Sequence, residues 1–172
     1  MPSIDNFIKD LKILYVEDDN LQRKKVSIFL KNICNNVKTN TNILDGYITY
    51  VNAFNEHNKF DIVISSKDIK NTDGLGLLSE IRRIDSLTPF IFVANTVDPE
   101  QLIEALNLNI NGYILKSDNL NELHNQIQKV SHNIYRKRIY LYQKKTINNH
   151  LNTYDMTASS EKVGKKGLVF FR

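Results

Sequence analysis

Apolar residues follow two spacings along this chain. Four runs are short and nearly unbroken: "LKILYV" (11–16), "FDIVIS" (60–65), "PFIFVAN" (89–95) and "GYILK" (112–116). Runs of this length, rich in β-branched and aromatic residues, suit central strands of a parallel sheet, which are covered on both faces and need no polar alternation. A weaker fifth strand is expected around Val37. Between the runs, apolar residues return at helical spacing. Leu21, Val26, Ile28, Phe29 and Ile33 mark one helix face; Leu44, Ile48, Val51 and Phe54 mark a second; Leu75, Leu78, Ile81 and Ile84 mark a third. "DPEQLIEALNLN" and "DNLNELHNQIQKV" supply two more helices. Asp19 or Asn20, Asn42, Asp73 and Asp98 are placed to cap helices, because a short side-chain oxygen accepts from an otherwise free helical N–H. Pro99 suits a first turn, and Gly46 slightly weakens the second helix.

Alternation of strand and helix predicts an α/β fold, a five-stranded parallel sheet with helices on both faces. In such sheets ligands bind beyond the carboxyl ends of the strands. Three of those ends carry chemistry: Glu17-Asp18-Asp19, Ser66-Lys67-Asp68 and Lys116. Carboxylates with a lysine at one sheet edge suit a hard cation and a phosphoryl group. The last helix continues past the sheet pattern. Leu120, Leu123, Ile127, Val130, Ile134 and Leu141 fall largely at heptad seam positions, while Lys137, Lys144 and Asn148 interrupt the seam. A coiled-coil linker and a helix packed back on the sheet fit equally well. The expected organisation is a domain over 1–130, a helical extension or linker over 131–150, and a flexible tail or the start of a further domain over 151–172. The terminal "LVFFR" fits either the first strand of such a domain or a piece that docks on a partner.

Composition changes this picture little. With 172 residues, 41% of them hydrophobic, the chain can bury the core of one domain with an appendage. It has no apolar run of bilayer length and no secretory leader pattern. Its one cysteine, Cys34, is expected at a helix end as a small boundary residue. A cytoplasmic protein is the expectation. His57, His124, His132 and His150 lack metal-site spacing, and no glycine-rich nucleotide loop occurs. Charge is uneven. From Ile134 onward there are nine Lys/Arg against Asp155 and Glu161, which leaves 14 basic and 17 acidic residues before it. A solvated helix face accounts for the basic end, so neither a nucleic-acid nor a membrane partner is expected. The last ~25 residues are too few for a helix-turn-helix.

Four segments, "ILYVEDDNLQR", "DIVISSKDIKNTDG", "TPFIFVAN" and "DPEQLIEALNLNINGYILK", together resemble the receiver domain of two-component response regulators, over about residues 10–130. The resemblance implies the flavodoxin-like receiver fold and a bacterial, cytoplasmic component of phosphorelay signalling. In that family an aspartate ending the third strand takes a phosphoryl group, Mg²⁺ held by the acidic turn neutralises charge, and a lysine contacts the phosphoryl oxygens. A hydroxyl on the fourth strand then bonds the phosphate, and an aromatic on the fifth strand changes rotamer. Carried over by motif, Glu17 and Asp18 match the acidic pair, Lys116 the lysine, and Tyr113 the aromatic. Counting back from Asp73-Gly74, Ser66 stands at the phosphoacceptor position, and Ala94 stands at the hydroxyl position.

Both substitutions strike one reaction. A serine hydroxyl needs a base and cannot form an acyl phosphate, and its presence removes a carboxylate from the metal site. Ala94 cannot bond a phosphate. The loop "IKNT" also lacks the family's proline, and Ser117 rather than proline follows Lys116. The implied protein is an atypical receiver, not an enzyme, working independently of phosphorylation as an interaction or dimerisation module. Its expected partner face is the fourth helix, fifth strand and fifth helix. Mg²⁺ binding is expected to be weakened, with Asp68 joining Glu17 and Asp18 or pairing with Lys116; a solvated turn carboxylate fits Asp68 as well. Tyr113 fits a cover for the sheet edge as well as a switch. Two other readings are a phosphoacceptor at Asp68 with Mg²⁺, and a DNA-binding regulator acting through the basic C-terminal region.

Overall fold

The structure is a computed structural model that describes residues 3–70, 72–117 and 119–164, with side chains placed up to Asn149. Its elements are α1 (Ile4–Asp10), β1 (Lys12–Val16), α2 (Asn20–Ile33), β2 (Asn36–Asn40), α3 (Ile43–Asn55), β3 (Ile62–Ser66), β4 (Asp68–Ile69), β5 (Thr72–Asp73), α4 (Gly74–Ile84), β6 (Phe90–Ala94), α5 (Pro99–Asn107), β7 (Gly112–Leu115) and α6 (Asn121–Gly164). Five strands pair in parallel in the order β2-β1-β3-β6-β7. The order reverses at β1, so the carboxyl ends of β1 and β3 flank the switch point where such sheets bind ligands.

The apolar runs are buried as their composition predicts: every residue of β3 and β6 is buried. Successive side chains alternate between two helix layers. Leu14, Val16, Val63, Phe90 and Phe92 join one core cluster with Tyr50 of α3, Leu77, Leu78 and Ile81 of α4, and Ala105 of α5. On the other side, Phe29 of α2 meets His124 of α6 edge to face at 5.9 Å. Leu123, Ile127 and Val130 of α6 are buried as well.

All four polar caps form. Asp19, Asn42, Asp73 and Asp98 each accept from a backbone N–H of the first turn, and Pro99 opens α5. Cys34 is the residue following α2, buried, with its thiol donating to the Leu11 carbonyl.

Two predicted helix faces are rotated. In α3, Leu44 is 65% and Ile48 47% exposed, while Tyr50 is fully buried and Ile43, Tyr47 and Phe54 pack inward beside it. Gly46 explains the rotation. A Cβ there would lie 2.8 Å from Val16 Cγ2, so the helix presents its glycine to β1 and turns Leu44 outward. In α2, Leu21 and Ile28 are exposed and Val26 and Leu30 form the buried face. In α4, Leu77 is buried where the predicted stripe had Ile84, which is partly exposed.

Two small elements lie outside the predicted pattern: α1, capped by Ser3 and anchored by Phe7, and the antiparallel β4–β5 pair. The backbone of α6 runs to Gly164, past the end predicted near Asn149. No proline or glycine occurs between Asn121 and Val163, so nothing in the local chemistry stops the helix when its apolar spacing fails. The chain forms two compact units, Met1–His132 and Asn133–Arg172. The "LVFFR" segment lies outside the described residues.

Candidate functional site

The carboxyl ends of β1, β3, β6 and β7 bring the predicted site together because the parallel register aligns them: Val16 pairs with Ser65, Ser66 with Val93, and Ala94 with Leu115. Lys116 follows directly, its amide donating to the Ala94 carbonyl at 2.7 Å. Around these ends lies a cleft of about 460 Å³ with Asp18, Asp68, Asn95 and Lys116 on its walls.

Glu17 is fully buried, and its Oε2 lies 2.9 Å from Lys116 Nζ, itself only 9% exposed. The remaining partners of the Glu17 carboxylate are more distant: the Tyr15 hydroxyl donates at 3.4 Å and the Asp19 amide at 3.2 Å. Burial, then the Glu17 charge, pushes the Tyr15 phenol well above its ordinary range, so it keeps its proton. Asp18 faces the β4 side, where its carboxylate accepts from the Lys70 amide at 3.1 Å. Asp19 is absorbed as the α2 cap. Arg23 clasps the acidic turn from behind, donating to the carbonyls of Glu17 and Asp18 at 2.9 and 3.2 Å.

Ser66 ends β3 fully buried, and its hydroxyl donates to the Asp68 carbonyl at 3.2 Å. A carbonyl oxygen is not a base, so this contact does not activate the hydroxyl as a nucleophile. Gly74 sits against the backbone carbonyl of Ser66 itself. A Cβ at that position would lie 2.6 Å from the Ser66 oxygen and 2.8 Å from Phe92, which is why the loop closes on glycine. Asp73 beside it caps α4 and also accepts from Gln101 of α5 at 3.1 Å.

Asp68 links two loops. Its Oδ2 accepts from the Asn95 amide at 2.9 Å, immediately after Ala94, and its Oδ1 lies 3.4 Å from Lys67 Nζ. Burial raises its pKa, but the Asn95 amide and the ammoniums of Lys67 and Lys116 outweigh burial and hold the carboxyl below its usual range. Ala94 is buried and offers only a methyl group. Tyr113 stacks edge-on against Phe92 at 6.2 Å, and its hydroxyl donates to the Thr96 carbonyl at 3.1 Å.

Residues 13–128, two thirds of the chain, match the sequence model of the response regulator receiver domain. This chain belongs to that family. The chemotaxis protein CheY-3 of Vibrio cholerae is 29% identical over 124 residues, covering 71% of this receiver chain and 92% of CheY-3. Among solved structures, Vibrio cholerae CheY4 aligns with a TM-score of 0.63 at 23% identity, covering 70% of this chain and 98% of CheY4. The CheX–CheY–BeF₃–Mg²⁺ complex from Borrelia burgdorferi aligns with a TM-score of 0.62 at 21% identity, covering 70% and 88%. Receivers as a family engage signalling partners or output domains.

In this receiver the fold places Glu17, Asp18, Ser66, Asp68, Ala94, Tyr113 and Lys116 at one end of the sheet. Among the described residues no three His, Cys, Asp or Glu side chains form a group that could hold a metal ion. Glu17 is paired with Lys116, Asp68 with Lys67 and Asn95, and Asp18 with a loop amide, so the carboxylates do not converge on one point. A hard cation such as Mg²⁺, which takes near-octahedral oxygen ligands, would have to displace these internal partners. Three contributors escaped the sequence pattern. Lys67 stood in the strand-end group Ser66-Lys67-Asp68 with no partner assigned, and Asn95 contributes a backbone amide, which every sequence position carries. Arg23 had a faint signal, four residues beyond the Asp19 cap.

Proposed function

We propose that this receiver works as a phosphorylation-independent interaction module in two-component signalling, and not as a phosphoacceptor or an enzyme. One observation carries the reading: the Asp68 carboxylate is bonded to the Asn95 amide. In the family, phosphate on the third strand would be sensed beside residue 94 and by the lysine at 116. Here a fixed carboxylate two residues beyond the acceptor position holds the β6–α5 loop. It supplies from within the chain a negative charge that a phosphoryl group would otherwise bring. The loop then needs no modification to be held. Ser66 without a base, Ala94 without a hydroxyl, and carboxylates bound to internal partners agree with this reading, and they imply weakened Mg²⁺ binding.

The partner surface in this reading is α5, β7 and the first turns of α6. Ile103, Leu106 and Leu115 expose apolar side chains there. A patch of this kind is suited to a protein partner, including a second copy of the chain. Among the described residues no helix is long and apolar enough to cross a membrane.

Intact mass after incubation with acetyl phosphate and Mg²⁺ tests the proposal, with Ser66→Asp alongside. No added phosphate on the native chain, with labelling of Ser66→Asp, is the expected result. Phosphate on the native chain that survives Ser66→Ala and disappears in Asp68→Ala would make Asp68 the acceptor and overturn the reading.

A further inference from the structure

The helical unit that begins at Asn133 consists, among the described residues, of one helix. Helices in proteins draw most of their stability from packing one face against something, and less from propensity. Tyr140, Leu141, Tyr142 and Ile147 nevertheless stand 53–66% exposed along this one.

Lysine and arginine decide which face can pack. Helices pair along positions a and d of a seven-residue repeat, and that repeat can be laid on a chain in seven frames. Across residues 134–149, six of the frames put Arg136, the Lys137–Lys144 row or the Arg138–Lys145 row into the seam. The frame suggested by Ile134 and Leu141 is one of these, with Lys137 and Lys144 inside it. The seventh has Ile139 and Thr146 at a, and Tyr135, Tyr142 and Asn149 at d, with no Lys or Arg. The same frame continues through Thr153, Met156, Ser160 and Val163, again without a Lys or Arg, as far as the helix backbone runs.

The side chains suit that frame. Tyr142 is 66% exposed and Ile139 half-buried. Thr146 donates its hydroxyl to the Tyr142 carbonyl at 3.0 Å, so its polar atom is satisfied within the helix and its methyl group is left to pack. Tyr135 already has an interaction within its own chain, so the open part of the seam starts at Ile139. Ile139 and Thr146 are β-branched, the shape that favours two strands at a.

The charges select the occupant. In a parallel, in-register pair, g positions face e positions of the second copy. Arg138 and Lys145, at g, then face positions 143 and 150, a glutamine and a histidine. Arg136, at e, faces the serine at 131, and Lys137 and Lys144, at f, lie on the outside. No Lys or Arg of this stretch meets another across the seam. An antiparallel pair centred on the same seam would set Arg138 against Lys145 instead. A lipid surface asks for a broad apolar face with the charges opposite. Here Tyr140, Ile147 and Leu141 bracket the Lys137–Lys144 row, and the cation-free stripe is only as wide as a coiled-coil seam.

We propose that α6 from Ile139 onward forms a parallel, in-register, two-stranded coiled coil with a second copy of this chain. This surface is separate from the α5–β7 face and needs neither phosphate on the receiver nor a metal ion, so it stands or falls independently of the receiver reading. Polar Thr146 and Asn149 in the seam make the pair reversible. Both helices are basic, so added salt tightens the pair by screening their repulsion.

The test is sedimentation equilibrium of the full chain, from low to high micromolar concentration, at low and at high salt. Ile139→Lys/Tyr142→Lys loads the seam with charge. Tyr140→Lys/Ile147→Lys makes the same change of charge at b positions, and circular dichroism checks both folds. A monomer–dimer equilibrium that tightens with salt, is weakened about tenfold or more by the seam variant and is kept in the b-position variant supports the coiled coil. Tyr142→Cys should then form an interchain disulfide under mild oxidation, faster than Tyr140→Cys, because only the seam position brings two Cβ atoms within bridging distance. A chain that stays monomeric throughout, or a dimer unaffected by Ile139→Lys/Tyr142→Lys, would overturn the proposal. So would a dimer lost in Ile103→Asp/Leu106→Asp and kept in the seam variant, which would place the interface on α5. Binding of phosphatidylglycerol vesicles by a chain that remains monomeric would overturn it in favour of a lipid surface.

Discussion

Lys116→Met tests how the acidic end of the sheet is held together. The native pair is buried on both sides, with Glu17 fully covered, Lys116 at 9% exposure, and a separation of 2.9 Å. Removing the ammonium leaves a buried carboxylate with only the distant Tyr15 hydroxyl and Asp19 amide. Breaking a buried pair from one side typically costs 3–5 kcal/mol, because the remaining charge keeps its desolvation penalty. Removing both charges is close to neutral. With a denaturant dependence of about 2 kcal/mol per molar urea, Lys116→Met should lower the unfolding midpoint by about 2 M. Glu17→Gln/Lys116→Met should recover most of that loss. Urea titrations of the native chain, both single variants and the double variant measure the coupling directly. A loss under about 1 kcal/mol in Lys116→Met, or a double variant as unstable as the single, would refute the claim that this pair is a structural element.

Asp85 is the other buried carboxylate with a heavy hydrogen-bond load, accepting from Tyr50, Lys59, Leu87 N and both donors of Thr88. Burial raises its pKa, but these donors, Lys59 first, hold it far below the usual range. A depressed carboxylate adds stability above its unfolded pKa of about 3.9 and loses it as pH falls toward the folded value. Urea midpoints should therefore fall more steeply below about pH 4 in the native chain than in Asp85→Asn, and Asp85→Ala should cost about 3 kcal/mol at pH 7. Gly74→Ala should destabilise by about 1–3 kcal/mol, since its Cβ meets the Ser66 carbonyl and Phe92. Gly76→Ala, with nothing within 4 Å, should raise the melting temperature slightly through helix propensity. Asp68→Asn should move the Asn95 amide resonance, and an unchanged resonance would mean that this contact does not hold the loop.

What the sequence made legible was local. Asp19, Asn42, Asp73 and Asp98 could be named as caps because a cap involves one side chain and the next turn. The strand runs could be named because burial on both faces needs no partner to be specified. Helix faces were less legible. Leu44 and Ile48 of α3 are spaced for a core as well as Ile43, Tyr47, Tyr50 and Phe54 are, and the choice rests on Gly46 meeting Val16 across thirty positions. The site divides along the same line. Glu17, Ser66 and Lys116 were readable as positions at strand ends. The pairing of Asp68 with Asn95 was not, because it joins one carboxylate to a backbone amide whose place is set by tertiary structure.

Metal binding and internal pairing are competing uses of the same few groups, and that competition can be measured. For a divalent cation to gather Glu17, Asp18 and Asp68, it must draw Glu17 from Lys116 and Asp68 from Lys67 and Asn95. Each separation leaves a poorly exposed ammonium without its partner: Lys116 is 9% and Lys67 11% exposed. The cost falls on the cation's apparent affinity. Ser66→Asp changes this balance from one side, adding a carboxylate at the end of β3 in exchange for the Ser66 hydroxyl bond to the Asp68 carbonyl and leaving the ion pairs in place. Tighter Mg²⁺ binding by Ser66→Asp than by the native chain, by about tenfold or more, corresponds to about 1.4 kcal/mol of added attraction. Titration calorimetry at low ionic strength resolves that difference. Equal affinity in the two proteins would mean that the missing carboxylate is not what separates this cleft from a metal site, and the internal pairs would then be the stronger barrier.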